Sequence, residues 1–455
     1  MSGIVGICKS GEIESVSRML DKIAHRGKAG RAVIQSANAT LGVVWTQAQQ
    51  ESFSPAAENC FVQDIAGRSH FARAKNDAGK DSANPVFVLE RDYLGVAPLY
   101  YARLDDGRLC FASEVKALLD FSKEIHELLP GHRYAGHRLE NYYTLAEKPS
   151  LTESPECIAA ELRKRLEGAV KKRIALSIGE KGAWLSGGLD SSIIVALACR
   201  HLQQMHTFVA GLKNSSDLEY AREAASYLKT RHYEVVFSID DALSVLPQVI
   251  FHLESFDALL VRSSISNYLA AQKAGEYVQS VFSGEGGDEL FAGYDYLKDL
   301  PGDKLESELI DITSKLHNTA LQRVDRMASA HGLTAHVPFL VPDVAQYALQ
   351  IPAKYKLHGK VEKWILRQAA SNLLPERVLN RRKVKFWQGS GIGGQLSAYA
   401  EKNVTDSDFR RERKLKNGWI LNTKEELMYY RIFKEHFGLL ENLSWMGRTK
   451  GAPVS

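Results

Sequence analysis

The sequence has little that would carry the chain out of the cytosol or bind it to a polymer. Its five cysteines among 455 residues (Cys8, Cys60, Cys110, Cys157 and Cys199) are scattered, odd in number and form no Cys-x-x-Cys pair. That argues against a disulfide framework and against a thiolate zinc site, and reduced thiols are expected. The fourteen histidines show no His-Glu-x-x-His spacing, so none is assigned to a metal. No charged-then-apolar leader and no run of 18 or more apolar residues occurs, so neither secretion nor membrane insertion is expected and the location expected is cytoplasmic. The net charge of +4 is too small for a general nucleic-acid binder, and Lys171-Lys-Arg173 reads as a solvated face. With 45% hydrophobic and 25% charged residues, the composition is that of a globular protein large enough for two cores.

What is present is concentrated in Trp184-Leu-Ser-Gly-Gly-Leu-Asp-Ser-Ser192. An apolar lead-in, Gly182 to Leu185, reads as a short buried strand, and Ile193 to Cys199 reads as a buried helix. The loop between them suits a phosphate, because glycines admit an anion to the backbone and free N–H groups at a helix start point towards it. Ser186, Ser191 and Ser192 add hydroxyls around Gly187 and Gly188, while the carboxylate of Asp190 calls for a bound Mg2+. No Gly-Lys-Ser/Thr follows, so this is not a Walker loop. Ser-Gly-Gly-x-Asp-Ser resembles the pyrophosphate loop of the ATP pyrophosphatases, which split ATP between its α and β phosphates to make an adenylate.

Residues 1–145 read as short alternating strands with a helix near Glu14 to Ala24, and residues 146–455 alternate strand and helix. Thr144 to Pro155, rich in Thr, Ser, Glu and Pro, reads as the linker. Removal of Met1 would make Ser2 the amino terminus, the place for an N-terminal nucleophile whose own amine serves as base. Arg91-Asp-Tyr-Leu-Gly-Val-Ala-Pro-Leu-Tyr-Tyr101 reads as a turn between strands. Phe111-Ala-Ser-Glu-Val-Lys-Ala-Leu118 reads as a strand entering a helix capped by Ser113.

These segments, with Leu129-Pro-Gly131 and Phe282-Ser-Gly-Glu-Gly-Gly-Asp-Glu-Leu-Phe-Ala-Gly-Tyr294, resemble in order the glutamine-dependent asparagine synthetases and the related β-lactam synthetases. The resemblance runs from residue 2 to about residue 440 and implies an α/β protein of two domains. The first, 1–145, would be a degenerate Ntn-hydrolase-like α-β-β-α sandwich of the class II glutamine amidotransferases. The second, 146–455, would be an AMP-forming synthetase domain built on a parallel sheet of the adenine nucleotide α-hydrolase type. A cysteine stands at position 2 in the members that hydrolyse glutamine, where this chain has Ser2. Their glutamine-pocket arginine and Asn-Gly-Glu-Ile-Tyr-Asn segment are absent, the stretch between Trp45 and Val86 is short for the usual strands, and His25-Arg-Gly27 runs into Lys28-Ala29 in place of Pro-Asp. The expectation is that Ser2 marks a degenerate nucleophile position and that the glutaminase is dead.

In the second half, Thr207-Phe-Val-Ala-Gly211, a helix at Asp217 to Ala225 and His232 to Phe237 continue the strand and helix alternation, which predicts ligands beyond the carboxyl ends of parallel strands. Ser283-Gly-Glu-Gly-Gly-Asp-Glu289 follows the strand Val278 to Phe282, and its three carboxylates within five residues require a compensating cation or amine. The resemblance implies ATP contacts from Leu185, Gly211, Ser283 and Gly284, Mg2+ on Asp190 and Asp288, and Glu285 beside the nucleophile and the acyl adenylate. Lys363 and Arg367, four apart, are predicted to share a helix face. The resemblance makes Lys363 the catalytic lysine that stabilises developing charge. Lys383, in Arg381-Arg-Lys-Val-Lys385, would close over the phosphates with the Gly389 to Gly394 loop.

Substrate recognition departs from the family. Leu259-Leu-Val-Arg262 and Ser263-Ser-Ile-Ser266 replace the usual Thr-Thr-Ile-Arg and Ala-Ser-Thr, and Thr334, His336 and Val341 stand for Glu, Arg and Asp. Arg262 and Asp257 are the expected contacts to the substrate, Arg262 as a bidentate clamp on an α-carboxylate. Such exchanges predict a changed substrate. The expected activity is ATP- and Mg2+-dependent adenylation of an amino-acid-like small molecule, then attack by an amine without glutamine hydrolysis. Closure of a lactam ring is favoured over ammonia-dependent asparagine formation, and a tRNA-modifying ATP pyrophosphatase stands lower for want of a cysteine pair or a basic module. No nucleic-acid or membrane partner is expected, and a homodimer is compatible with the sequence.

Overall fold

A computed structural model describes residues 2–36, 38–48, 60–63, 70–75, 86–135, 138–383 and 389–449. Two antiparallel sheets come first. One has the order β2 (Gly30–Gln35), β3 (Thr40–Trp45), β1 (Gly3–Ile7), β8 (Leu109–Ala112), β7 (Tyr100–Arg103), β9 (Ile125–Glu127). The other runs β11 (Arg138–Asn141), β10 (His132–Ala135), β6 (Val86–Arg91), β5 (His70–Lys75), β4 (Cys60–Gln63). Helix α1 (Ile13–Lys22) packs on the first sheet, because Val16, Met19 and Leu20 fall on one helical face and are buried.

Two of the sequence segments are turn-holding devices. The buried guanidinium of Arg91 donates to the carbonyls of Ala97 (2.9 Å) and Leu128 (2.7 Å) and to Glu127 (2.7 Å), which closes the turn around Gly95. Ser113 does not cap a helix. Its hydroxyl accepts from the Ile4 N–H at 2.9 Å and ties β8 to β1, while the short 3-10 turn Val115–Ala117 starts with no side-chain cap. The former glutamine-pocket question between Trp45 and Val86 falls largely on residues outside the described ones.

After β11 the chain runs without regular structure to Ser154, whose hydroxyl caps α2 (Pro155–Leu176). A five-stranded parallel sheet follows, in the order β14 (Arg231–Phe237), β13 (His206–Leu212), β12 (Lys181–Trp184), β15 (Ser280–Phe282), β16 (Thr334–His336). The helices between these strands are α3 (Leu189–Cys199), α4 (Ser216–Leu228), α5 (Ile239–Leu253) and α6 (Ala258–Ala274), then α7 (Gly287–Leu290), α8 (Gly302–Ser314) and α9 (Ala320–Ser329). Chain order climbs outward from β12 to β14 and then jumps back to β15 on the other side of β12. The loops after β12 and β15 therefore diverge at one switch point, where ligands bind in open parallel sheets. One apolar core runs from Val5 and Tyr100 through Val195 and Phe282 to Trp445, so both halves bury one continuous interior. No single described helix is long and apolar enough to cross a membrane.

Candidate active site

The register Ala183↔Phe282 sets Ser186-Gly-Gly-Leu-Asp-Ser191 beside Ser283-Gly-Glu-Gly-Gly-Asp288. The two loops interlock at glycines of the second. A Cβ on Gly284 would stand 2.6 Å from the Ser191 nitrogen, and one on Gly287 would stand 2.5 Å from Asp190 Cγ. At Gly284 the bare backbone allows close approach of the two loops, and at Gly287 it makes room for the Asp190 carboxylate.

Beyond the loops lies a cavity of about 730 Å3, lined by Leu185, Ser186, Gly188, Asp190, Ser191, Ser283, Gly284, Glu285, Asp288, Glu289, Lys363 and Lys383 among others. Lys363 Nζ lies 2.5 Å from Asp190 Oδ2 and 2.6 Å from Asp288 Oδ1, and Lys383 Nζ lies 2.5 Å from Asp288 Oδ2. Burial pushes both aspartates up. At Asp288 the ammonium groups of Lys363 and Lys383 outweigh it and hold the carboxyl down at about 2, whereas at Asp190 burial wins and the neighbouring Asp288 adds to it. Asp190 Oδ1 is buried with no hydrogen-bond partner. Glu285 is ion-paired to Arg323, and Glu289 accepts from the Tyr294 hydroxyl. Burial, with Asp288 and Glu285 close by, raises Glu289 to about 7.

Lys363 does not share a helix face with Arg367. It stands at the N-cap of the helix Trp364–Ala369 with φ +55°, a left-handed conformation uncommon for lysine. That geometry turns the ammonium toward Asp190 and Asp288, while the Arg367 guanidinium, also at the cavity wall, donates to the carbonyls of Glu362 (3.0 Å), Leu379 and Arg381 (3.1 Å). Arg381 donates to the Ser186 carbonyl and to Asp217, each at 2.7 Å, and so braces the first loop against α4. Residues 384–388 of the predicted closing segment lie outside the described ones.

Other expected site residues lie off the cavity. Gly187, at φ +68°, packs on the Tyr220 backbone, and the buried Ser192 hydroxyl has no partner. Gly211 is set against Ser215, and its neighbours Val209 and Ala210 line the cavity in its place. Arg262 does grip a carboxylate bidentately, but that carboxylate is the chain's own Glu425, itself bonded to Tyr429. Asp257 caps α6 through the Leu260 N–H and takes the N–H and hydroxyl of Thr449. Neither lines the cavity. Thr334 bonds Thr46 at 2.9 Å and His336 bonds Ser177 at 2.6 Å, so these exchanges also lie away from it, whereas Leu259 and Leu260 line it directly.

The structure adds residues that no sequence pattern marked. Arg323 and Ala320 reach the cavity from α9 and Thr319 from its N-cap, and Asn267 and Ala270 join Leu260 and Ser263, of the segments already singled out, in lining it at helical spacing from α6. Trp184 and Phe208, register partners on one sheet face, line the same side. Trp184 Nε1 and Asn267 Oδ1 are buried there without partners. At the far end of the chain, Ser2 is buried with its hydroxyl unpartnered, and its carbonyl accepts from Arg26 at 3.3 Å.

The fold and site together define an α/β protein with a nucleotide-type switch point and a lysine-bridged pair of aspartates. The asparagine synthase family profile matches residues 161–312 and 301–448, and the glutamine amidotransferase domain profile matches 78–171. The chain belongs to the asparagine synthase family. It is 35% identical over 382 residues to asparagine synthetase [glutamine-hydrolyzing] 2 of Arabidopsis thaliana, covering 78% of this chain and 66% of that one. To asparagine synthetase [glutamine-hydrolyzing] of Sandersonia aurantiaca it is 34% identical over 387 residues, covering 80% of this chain and 73% of the relative. Among solved structures it is similar to NMN synthetase from Francisella tularensis, at 12% identity and a TM-score of 0.30, covering 64% of this chain and 98% of that one.

Proposed function

We propose that the chain is an ATP-dependent, AMP- and pyrophosphate-forming amide synthetase that adenylates a substrate carboxylate for attack by an amine. The observation that carries this is the convergence of Asp190, Asp288, Lys363 and Lys383 on two interlocked loops at the sheet's switch point. A carboxylate is a poor electrophile, and adenylation gives it a good leaving group. The ATP phosphates belong over Ser186, Gly188 and Ser191 at the start of α3, where backbone N–H groups receive anions.

Asp190 and Asp288 suit Mg2+: two carboxylates with one oxygen unpartnered are what this ion takes when substrate phosphates complete its shell. Bound there, Mg2+ would neutralise charge on the pyrophosphate. Lys363 is placed to stabilise charge that develops as the acyl group is transferred, and Glu285, held by Arg323, is placed to orient the amine.

Glutamine is not the amine source in this reading, since Ser2 replaces the nucleophilic cysteine and is sealed in the interior. A substrate-borne amine closing a lactam ring is preferred, because Leu259 and Leu260 give the cavity an apolar wall where the family carries hydroxyls. Ammonia-dependent asparagine formation is the second reading, favoured by Glu285, which the asparagine synthetases share and the β-lactam synthetases replace by tyrosine. A tRNA-modifying role ranks below both, as no described cysteine lines the cavity. The deciding experiment is ATP-dependent pyrophosphate release with candidate amino acids under three conditions: no added amine, ammonium, or glutamine. Turnover with no amine and loss of one water means ring closure. Turnover of aspartate only with ammonium means asparagine formation, and turnover driven by glutamine overturns the reading of Ser2.

A further inference from the structure

Helix α9 has two working faces. Ala320 and Arg323, with Thr319 at the N-cap, line the cavity, while Gln322, Asp325, Arg326 and Ser329, spaced i, i+3, i+4 and i+7, form the adjoining face. The second face is held by buried polar contacts. Arg26 NH1 and NH2 fork onto Asp325 at 2.7 and 2.8 Å, and NH1 also donates to Ser329 at 3.2 Å. Arg326 pairs with Glu114 at 2.7 Å and Glu254 at 2.9 Å, and Gln322 donates to the Leu253 carbonyl at 2.8 Å. Glu254 in turn takes the Val115 and Lys116 N–H groups at 2.9 and 2.7 Å. Arg26, Glu114, Val115 and Lys116 all belong to the antiparallel part of the chain.

From this geometry we infer that Arg26 is a positioning residue for amide formation. Its fork on Asp325 sets the rotation of α9 about its axis, and thereby the Arg323–Glu285 pair two residues away. The His25-Arg-Gly27 segment thus serves the synthetase cavity, although the nucleophile position beside it holds serine. The fork suits the task because a planar guanidinium on a carboxylate fixes direction as well as distance. A misplacement of about 1 Å at reacting groups costs roughly 100-fold in rate. Asp190, Asp288 and Lys363, on which adenylation depends, lie off α9, which meets the loop after β15 through Glu285. The inference rests on the proposed synthetase reading and predicts that the two half-reactions respond differently.

The test is Arg26→Lys in the full chain, which keeps the charge and loses the fork. Carboxylate-dependent ATP–pyrophosphate exchange and KM for ATP should stay within about 2-fold, while kcat for amide formation falls about 10- to 100-fold. Both half-reactions falling in parallel with the melting temperature, or amide formation staying unchanged, would overturn the inference. Should Arg26→Lys fail to fold, Asp325→Asn carries the same expectations. If the wild-type protein gives no exchange with any carboxylate, the synthetase reading fails separately. Deuterium uptake then decides on Arg26: faster exchange in the variant reaching the turn of Arg323 supports positioning, and unchanged exchange there refutes it.

Discussion

The molecule holds two buried charge clusters that differ in what surrounds them. Between its halves, Arg26, Lys116 and Arg326 meet Glu114, Glu254 and Asp325, three cations against three carboxylates, all within the interior. At the switch point, Asp190, Glu285, Asp288 and Glu289 meet Lys363, Lys383 and Arg323, with carboxylates in excess and an open cavity beside them. The first cluster pairs its charges one for one within the protein, and where it leaves an atom without a hydrogen-bond partner that atom is a donor, as at Arg326 Nε. The second leaves Asp190 Oδ1 unpartnered and lifts Glu289, conflicts that a bound ligand can relieve, and it includes Lys363 with its left-handed backbone. Burial of charge alone therefore does not mark a site; unbalanced charge next to space does.

Breaking each cluster should separate function from stability. Lys363→Met should have the largest effect, a fall of about 100- to 1000-fold in kcat for pyrophosphate-coupled amide formation, with ATP still bound. Steady-state kinetics alongside calorimetric ATP titration would check it. In the sealed cluster, Arg26→Met strands Asp325 and should cost about 3–5 kcal/mol of stability, and adding Asp325→Leu should recover most of it. Denaturant midpoints of the two variants decide this.

A subtler test uses pH. Glu289 keeps its proton up to about 7 in the folded protein but releases it near its ordinary 4.5 when unfolded. The folded state therefore loses stability as pH rises from 4.5 to 7 and carries the full penalty above that. Glu289→Gln should remove this slope and raise stability at pH 8 by on the order of 1–3 kcal/mol, measured as denaturant midpoints across pH. The smallest effect belongs to Ser2→Ala, which deletes a buried hydroxyl without a partner. It should leave synthetase activity unchanged and stability equal or higher by about 1 kcal/mol in the same unfolding assay.

The two interlocked loops were legible in the sequence because their composition is local. Glycines, hydroxyls and carboxylates within a few residues of a strand end state both the backbone path and the charge problem. The parallel strands were legible for a similar reason, as alternation of apolar strand and helix. Arg262 was misread because the carboxylate it binds, Glu425, lies 163 residues away and no local pattern reports a partner at that distance. Arg323 and Asn267 were missed because their roles follow from the rotation of α9 and α6, which packing decides. Lys363 was singled out by resemblance and lines the cavity, yet it precedes the helix instead of lying in it, since spacing four apart says nothing about where a helix begins.

The interlocked loops carry a consequence for how the protein is made. Asp190 and Lys363 are 173 residues apart in sequence, and their meeting requires β15 to dock beside β12 after both flanking crossovers have closed. Formation of the site is thus a late, high-contact-order event. A chain stalled with only β12 to β14 paired would bury much of its apolar surface and have no reaction centre. Activity in this molecule should consequently appear in a single step during refolding, trailing the signals of helix and core formation.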